Sequence, residues 1–304
     1  MTAFRSGFVA VVGRPNVGKS TLLNHLVGQK VAIVSDKPQT TRNRIHCILT
    51  RPDAQLVFLD TPGIHKPLHK FGEYMVQTAL RTLSEVDAIL FIVDATHPPG
   101  KGDEFIAGYL READAPVIAA ANKIDLWNRS PEQTKGQEEI LAAYGDLGDF
   151  IAVLPISALE GQGLTELVDI MVGLLPEGPK YYPDDWVTDH PEQFIMAELI
   201  REQILHLTRE EIPHATAVVI EQVEAREDRD LVDVWATIYV ERSSQKGIII
   251  GRNGSMLKQV GKLAREEIEA LLGSQVNLQL WVKVKDDWRE KPGSLSELGY
   301  TVDS

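Results

Sequence analysis

One stretch limits this chain more than any other: Gly13-Arg14-Pro15-Asn16-Val17-Gly18-Lys19-Ser20. It fits G-x-x-x-x-G-K-[ST], follows the apolar run 8–12 and opens a helical pattern over 21–27. A loop of this kind must join a buried strand to a helix. Its glycines let the backbone wrap so that several N–H groups converge, and the helix N-terminus adds partial positive charge. The pattern therefore predicts a nucleoside-phosphate cradle made by Gly13, Arg14, Pro15, Asn16, Val17, Gly18, Lys19, Ser20 and Thr21. Lys19 is expected to neutralise the β- and γ-phosphates, and the Ser20 hydroxyl to ligate Mg²⁺.

The rest of the first half agrees with that start. Short apolar runs at 8–12, 44–50, 56–59, 88–93, 116–121 and 151–155 alternate with helix-like segments. Nearly all-apolar runs suit parallel strands covered on both faces, and the alternation predicts a doubly wound α/β domain. The runs 44–50 and 56–59 are joined by five residues only, so that pair is expected to be an antiparallel hairpin.

Further motifs stand at the ends of these strands. Asp60-Thr61-Pro62-Gly63 follows the third run. There Asp60 is expected to hold Mg²⁺ through water, and Gly63 to bring its N–H to the γ-phosphate. Between the first two motifs lies Gln39-Thr40-Thr41-Arg42. Thr41, with Thr40 second, is the expected hydroxyl that reaches Mg²⁺ only when a γ-phosphate is present. The catalytic set is Lys19, Thr41 and Gly63. Asn122-Lys123-Ile124-Asp125 closes the fifth strand, and Ser157-Ala158-Leu159 follows the sixth. A carboxylate at 125 can accept from both N1–H and the 2-amino group of guanine, which adenine cannot offer. Asn122 is expected to bridge to the phosphate loop, the Lys123 stem to cover the ring, and the 157–159 loop to donate an N–H to guanine O6. This pair of motifs selects GTP over ATP. In Ras-type GTPases a glutamine after D-x-x-G orients the attacking water; here Ile64 stands there and cannot, so slow intrinsic turnover is expected.

From 176 to 191 four prolines punctuate a Tyr-, Asp- and Gly-rich run. It reads as a linker between a nucleotide domain (1–175) and a second domain (192–304), with Trp186 and the tyrosines pinning it to one of them. The second domain shows the order α-β-β-α-α-β, an α+β unit. Its Ile250-Gly251-Arg252-Asn253-Gly254 resembles the KH fold's I-G-x-x-G, which clamps a single-stranded RNA backbone. Lys258, Lys262 and Arg265 fall on one face of the next helix. Lys246, Lys283 and Lys285 are expected to extend that strip. Trp235, Trp281 and Trp288 read as packing residues, Cys47 as a half-buried strand residue, and His65 and His69 as loop residues without a metal cluster.

Net charge bears on the partner. At −13 the surface as a whole repels nucleic acid, so RNA must meet a local basic strip. A single cysteine excludes an intrachain disulfide and points to a reducing compartment. No apolar run reaches the length of a membrane span, and nothing like a signal segment precedes the first strand, so a cytoplasmic protein is expected.

Taken with Lys37-Pro38-Gln39-Thr40-Thr41-Arg42, Asp60-Thr61-Pro62-Gly63-Ile64-His65-Lys66-Pro67, Glu211-Ile212-Pro213-His214 and Arg242-Ser243-Ser244-Gln245-Lys246, these motifs resemble the Era family of bacterial ribosome-assembly GTPases over essentially the full length. The resemblance implies a P-loop GTPase domain followed by a smaller type II KH domain. It implies a monomeric switch with GTP and GDP as ligands, Mg²⁺ as cofactor, and slow hydrolysis. It also implies binding to 16S rRNA near its 3′ end, a role in 30S maturation on the pre-30S subunit, and peripheral contact with the inner membrane. GTPases that share Asn16 and lack the glutamine often hold K⁺ beside the phosphates; the other reading of Asn16 is a loop-stabilising amide. Arg252-Asn253 departs from the lysines relatives often carry, which bears on RNA affinity.

Overall fold

Strands β1 (Arg5–Val12), β2 (Ile45–Thr50), β3 (Ala54–Asp60), β4 (Ala88–Asp94), β5 (Val117–Asn122) and β6 (Ala152–Pro155) form one six-stranded sheet in the order β2-β3-β1-β4-β5-β6. The computed structural model describes residues 3–35, 37, 40–61, 70–129 and 136–300. Only β2 runs antiparallel, paired to β3 as the short connection requires; the other strand pairs are parallel. Helices α1 (Lys19–Val27), α2 (Lys70–Leu83), α3 (Lys101–Leu110), α4 (Gln137–Gly145) and α5 (Leu164–Leu174) connect or follow the strands. The central strands are buried on both faces, as their unbroken apolar runs demand: Val9–Val12, Leu56–Phe58 and Leu90–Val93 are all fully buried. Cys47 lies in this core with no exposure, so the half-buried expectation is corrected. Parallel order brings the carboxyl ends of β1, β3, β4, β5 and β6 to one edge of the sheet, where ligands of such folds bind.

From α3 onward the chain passes from the first compact unit to the second between Asp189 and His190. The Pro-punctuated run is therefore no free linker along most of its length. Ser6 N–H donates to Pro176 O at 3.1 Å and Gly178 N–H to Phe4 O at 3.1 Å. The fully buried Gln55 side chain accepts from the N–H groups of Tyr181 and Tyr182 at 2.8 and 3.0 Å and donates to Tyr182 O at 2.9 Å. Farther on, Ile48 N–H donates to Val187 O at 2.9 Å, and Asp189 accepts from Tyr182 Oη at 2.8 Å while meeting His46 Nδ1 at 2.7 Å. Proline brings no N–H of its own, and Ser6 of β1, Ile48 of β2 and Gln55 of β3 supply donors to carbonyls of this run. The tyrosines pin the strap as expected, with Trp186 stacked on Tyr182 at 6.1 Å.

In the second unit, α6 (Glu192–Leu207), β7 (Ala217–Ala225), β8 (Leu231–Val240), α7 (Ser243–Ile250), α8 (Ser255–Leu272) and β9 (Gln275–Val284) follow in the order α-β-β-α-α-β, with α9 (Pro292–Glu297) after them. The sheet order is β7-β8-β9, β7 antiparallel and β9 parallel to β8. Ile195, Met196, Leu199 and Ile200 of α6 are buried where that helix meets α8, with Val260, Ala264 and Ile268 of α8 and Val234, Ala236 and Ile238 of β8 also in the core. Trp288 is fully buried, its Nε1 donating to Ala215 O at 3.0 Å.

Candidate nucleotide site and nucleic-acid interface

The phosphate loop leaves β1 and enters α1 through Gly18, at φ 104°. A Cβ there would stand 2.3 Å from the Asn122 amide nitrogen, so only glycine lets the loop close against the base motif. Lys19 is 7% exposed and donates to Gly13 O and Arg14 O, each at 3.0 Å. Burial lowers its pKa to about 8, against an upward pull from Asp60. Arg14 contributes backbone to the loop, but its side chain turns to α3, where Nε meets the buried Asp103 at 2.8 Å. Asn16 takes the left-handed φ of 65°.

Three oxygens from three segments meet beside Lys19. Ser20 Oγ donates to Asp60 Oδ2 at 3.3 Å, and Thr41 Oγ1 donates to the same oxygen at 2.8 Å. All three residues are buried. Among the described residues no group of three or more His, Cys, Asp or Glu is placed to hold a metal ion. Two hydroxyls and one carboxylate are hard donors that suit Mg²⁺, which completes its octahedron with water and substrate phosphates rather than with a protein cage. The residues present fit that ion. Thr61, expected among the nucleotide contacts, donates its hydroxyl to Val11 O at 2.8 Å and ties the end of β3 to β1. Gln39, Pro62, Gly63, Ile64, His65 and His69 lie outside the described residues.

On the base side the side chains interlock. Asn122 Nδ2 donates to Val17 O at 2.8 Å, and its Oδ1 accepts from Ala158 N–H at 2.8 Å. One amide thus joins the phosphate loop to the 157–159 loop, the bridge expected from sequence. Ser157 Oγ donates to Asp125 Oδ1 at 2.7 Å and accepts from Glu160 N–H at 3.1 Å, which fixes the carboxylate. Ala158 N–H is taken by Asn122 and Ser157 N–H by Gln162 O. Leu159 is 67% exposed. Lys123 has φ 74°, and its Nζ meets Asp94 Oδ2 at 2.6 Å. Asp94 and Asp103 carry no motif of their own. The one signal for Asp94 is its place at the carboxyl end of a strand beside β5.

In the second unit, Gly251 ends α7 at φ 74°, and Arg252–Gly254 make one tight turn into α8. A Cβ on Gly251 would stand 2.7 Å from Met256 Cβ and 2.8 Å from Met256 N, so the turn holds the start of α8 too closely for any side chain. A groove opens beside it, lined by Gly254, Leu257, Lys258, Lys262 and Arg265 and floored by Leu278 and Leu280 of β9. Arg252, Asn253, Lys258, Lys262 and Arg265 are exposed; Lys246 and Ile250 are half-buried on α7. Lys262 and Arg265 reach Glu266 and Glu269 only at 3.9 and 3.8 Å, so the basic strip stays open to solvent. Lys283 and Lys285 do not extend it: Lys283 alternates with Leu278 and Leu280 along β9, and Lys285, just past the strand, pairs with Glu297. Trp281, expected in packing, is 45% exposed on β9, which is an edge strand of its sheet.

A family profile described as "50S ribosome-binding GTPase" matches residues 8–123, and one described as "KH domain" matches residues 211–289. A crystal structure of Era with MgGDPNP and nucleotides 1506–1542 of 16S ribosomal RNA is 41% identical to the chain, with a TM-score of 0.91. The match covers 98% of this chain and 100% of that one. The chain belongs to the Era family. A structure of Aquifex aeolicus Era, a tyrosine-to-alanine variant bound to GDP·AlF4⁻, is 40% identical with a TM-score of 0.90, over 98% of this chain and all of that one. As an Era, it is a P-loop GTPase with a KH domain behind it. The two profiles fall on the two units described above, one on each side of Asp189.

Proposed function

We propose that this chain is a GTP-hydrolysing switch that binds 16S rRNA near its 3′ end and assists maturation of the 30S subunit. What carries the reading is the presence on one chain of a carboxylate held for guanine (Asp125, fixed by Ser157) and a G-x-x-G groove flanked by basic side chains. The similar Era structure that holds both MgGDPNP and 16S nucleotides 1506–1542 supports it.

In this reading Lys19 gives up its carbonyl partners for the β- and γ-phosphates. Asp125 accepts from guanine N1–H and the 2-amino group, Leu159 N–H meets O6, and the Lys123 stem lines the ring. Mg²⁺ held by Ser20, Thr41 and Asp60 would offset charge on the phosphate oxygens. Gly63 N–H belongs at the γ-phosphate. Thr41 is the contact that a γ-phosphate makes and its hydrolysis releases, so the 37–42 segment reports the nucleotide state. Asn16, in its left-handed turn beside the phosphates, is the residue we assign to a K⁺ ion. RNA runs through the groove with its backbone against Gly251–Gly254 and its phosphates facing Lys246, Arg252, Lys258, Lys262 and Arg265; Asn253 and Ile250 border it. We further propose a monomer working in the cytoplasm on the pre-30S particle, with peripheral contact at the inner membrane. No helix among the described residues is long and apolar enough to cross a membrane. We read 1–175 as the GTPase domain and 192–304 as the KH domain, the strap 176–189 travelling with the first.

A second reading, a GTP-bound RNA scaffold with negligible turnover, is favoured by Ile64 in place of a water-orienting glutamine. GTP hydrolysis in K⁺ against Na⁺ buffer, with and without a single-stranded RNA from the 3′ end of 16S rRNA, separates them. Stimulation by both K⁺ and RNA supports the switch. RNA binding with no turnover under any condition establishes the scaffold.

A further inference from the structure

Behind the base pocket, at the last residue of β4, sits Asp94, outside every motif named above. Each of its carboxylate oxygens has its own partner. Oδ2 takes Lys123 Nζ at 2.6 Å; Oδ1 takes Thr96 Oγ1 at 2.6 Å and Thr96 N–H at 3.1 Å. Its main chain is fixed as well. Asp94 O accepts from Tyr144 Oη at 3.1 Å, Ala95 N–H donates to Asn122 O at 2.9 Å, and Ala95 O accepts from Trp127 Nε1 at 2.7 Å. The carboxylate therefore cannot follow Lys123 if the lysine moves; the lysine is brought to it. Burial raises the Asp94 pKa, but the bonds from Lys123 and Thr96 outweigh burial and keep it below the usual carboxylate value, so the group is charged at neutral pH.

Lys123 and Asp125 are two residues apart at the start of a short helical turn. Ser157 occupies one oxygen of Asp125 and leaves the other to a ligand. An ammonium loose in this half-buried cleft would pair with that free oxygen and compete with guanine, because charges attract more strongly where water is scarce. We propose that Asp94 is a positioning residue for guanine recognition: by holding the Lys123 ammonium it keeps that charge off Asp125, whose carboxylate stays available to the base. The proposal rests on Asp125 being the guanine reader.

The test measures GDP and inorganic pyrophosphate binding by competition against a fluorescent GDP, on the full chain. Asp94→Asn should weaken GDP by ~10-fold, the scale of one charge-assisted contact, while pyrophosphate changes by less than about twofold. Adding Lys123→Met to Asp94→Asn should restore part of the GDP affinity, since the competing charge is then gone. Thr96→Val, which removes one clamp on Asp94, should give a smaller loss of the same kind. Equal loss for GDP and pyrophosphate would show that Asp94 only supports the fold. A GDP loss under about twofold, or no recovery with Lys123→Met, would also overturn the proposal. Failure of the underlying reading looks different: the wild-type chain would then bind GDP no tighter than ADP.

Discussion

The two units hold their ligand residues in different ways. In the nucleotide unit the functional side chains are buried or half-buried and each is tied into the fold: Lys19 to loop carbonyls, Thr41 and Ser20 to Asp60, Asn122 to two loops, Asp125 to Ser157. In the KH unit most of the functional side chains, Arg252, Asn253, Lys258, Lys262 and Arg265, lie in solvent beside the Gly251–Gly254 turn and its apolar floor. A site that reads a base and a phosphate chain must be preorganised to atomic tolerance, because each misplaced buried group costs desolvation without return. A site that follows a flexible polyanion gains from long-range charge, which tolerates side-chain motion. The first unit should therefore fail abruptly to single changes, and the second gradually.

The largest break is expected at Lys19. Lys19→Ala should cost about 100-fold or more in GTP affinity by equilibrium titration, since a buried charge-assisted contact is lost where nothing replaces it. Submicromolar binding by that variant would remove the site. Asp125→Asn comes next: GTP affinity should fall by roughly 100-fold while xanthine nucleotide gains, because the amide donates where the carboxylate accepted. An unchanged GTP preference would take Asp125 out of its role.

Two glycines of the KH turn sharpen the contrast. Gly254 has φ 75° with nothing near its missing Cβ, whereas a Cβ on Gly251 meets Met256 backbone at 2.8 Å. Gly254→Asp should leave the melting temperature within about 3 °C, since aspartate tolerates the left-handed region, yet weaken RNA by about 10-fold through charge repulsion. Gly251→Ala should destabilise the unit by about 1–3 kcal/mol by strain at that contact. Equal thermal effects of the two would contradict this turn geometry.

The smallest effect is a pH dependence. Lys19 in the free protein titrates near 8 because burial disfavours its charge, and bound phosphates would hold it protonated. Below that pH the charge is already present. Above it, binding must take up a proton, so GDP affinity should fall by up to about tenfold per pH unit. Calorimetry at about pH 8.5 in buffers of different protonation enthalpy reads the uptake. Lys19→Arg, whose guanidinium does not titrate there, should show none.

How much of this was legible beforehand differs by residue. The phosphate loop, the strand-end motifs, the hairpin of β2 and β3, and the α-β-β-α-α-β order could all be read in the chain, because each rests on local periodicity or on glycine and charge at fixed spacing. The strap 176–189 could not. Its three prolines look like a linker, and only the strands it lies against, with Gln55 buried to receive it, make the segment part of the first unit. Trp281 and Lys285 misled for the same reason: whether a strand residue meets a core, a groove or an ion pair depends on what lies across from it, not on its neighbours in sequence.

The sequence by itself determined which chemistry is present, since backbone freedom at glycine, the donors of lysine and serine and the acceptors of aspartate are properties of the residues. Tertiary structure decided which of those groups meet. Asp94 reaches Lys123 across 29 positions and Asp103 holds Arg14 across 89, contacts that exist only because parallel strands end side by side.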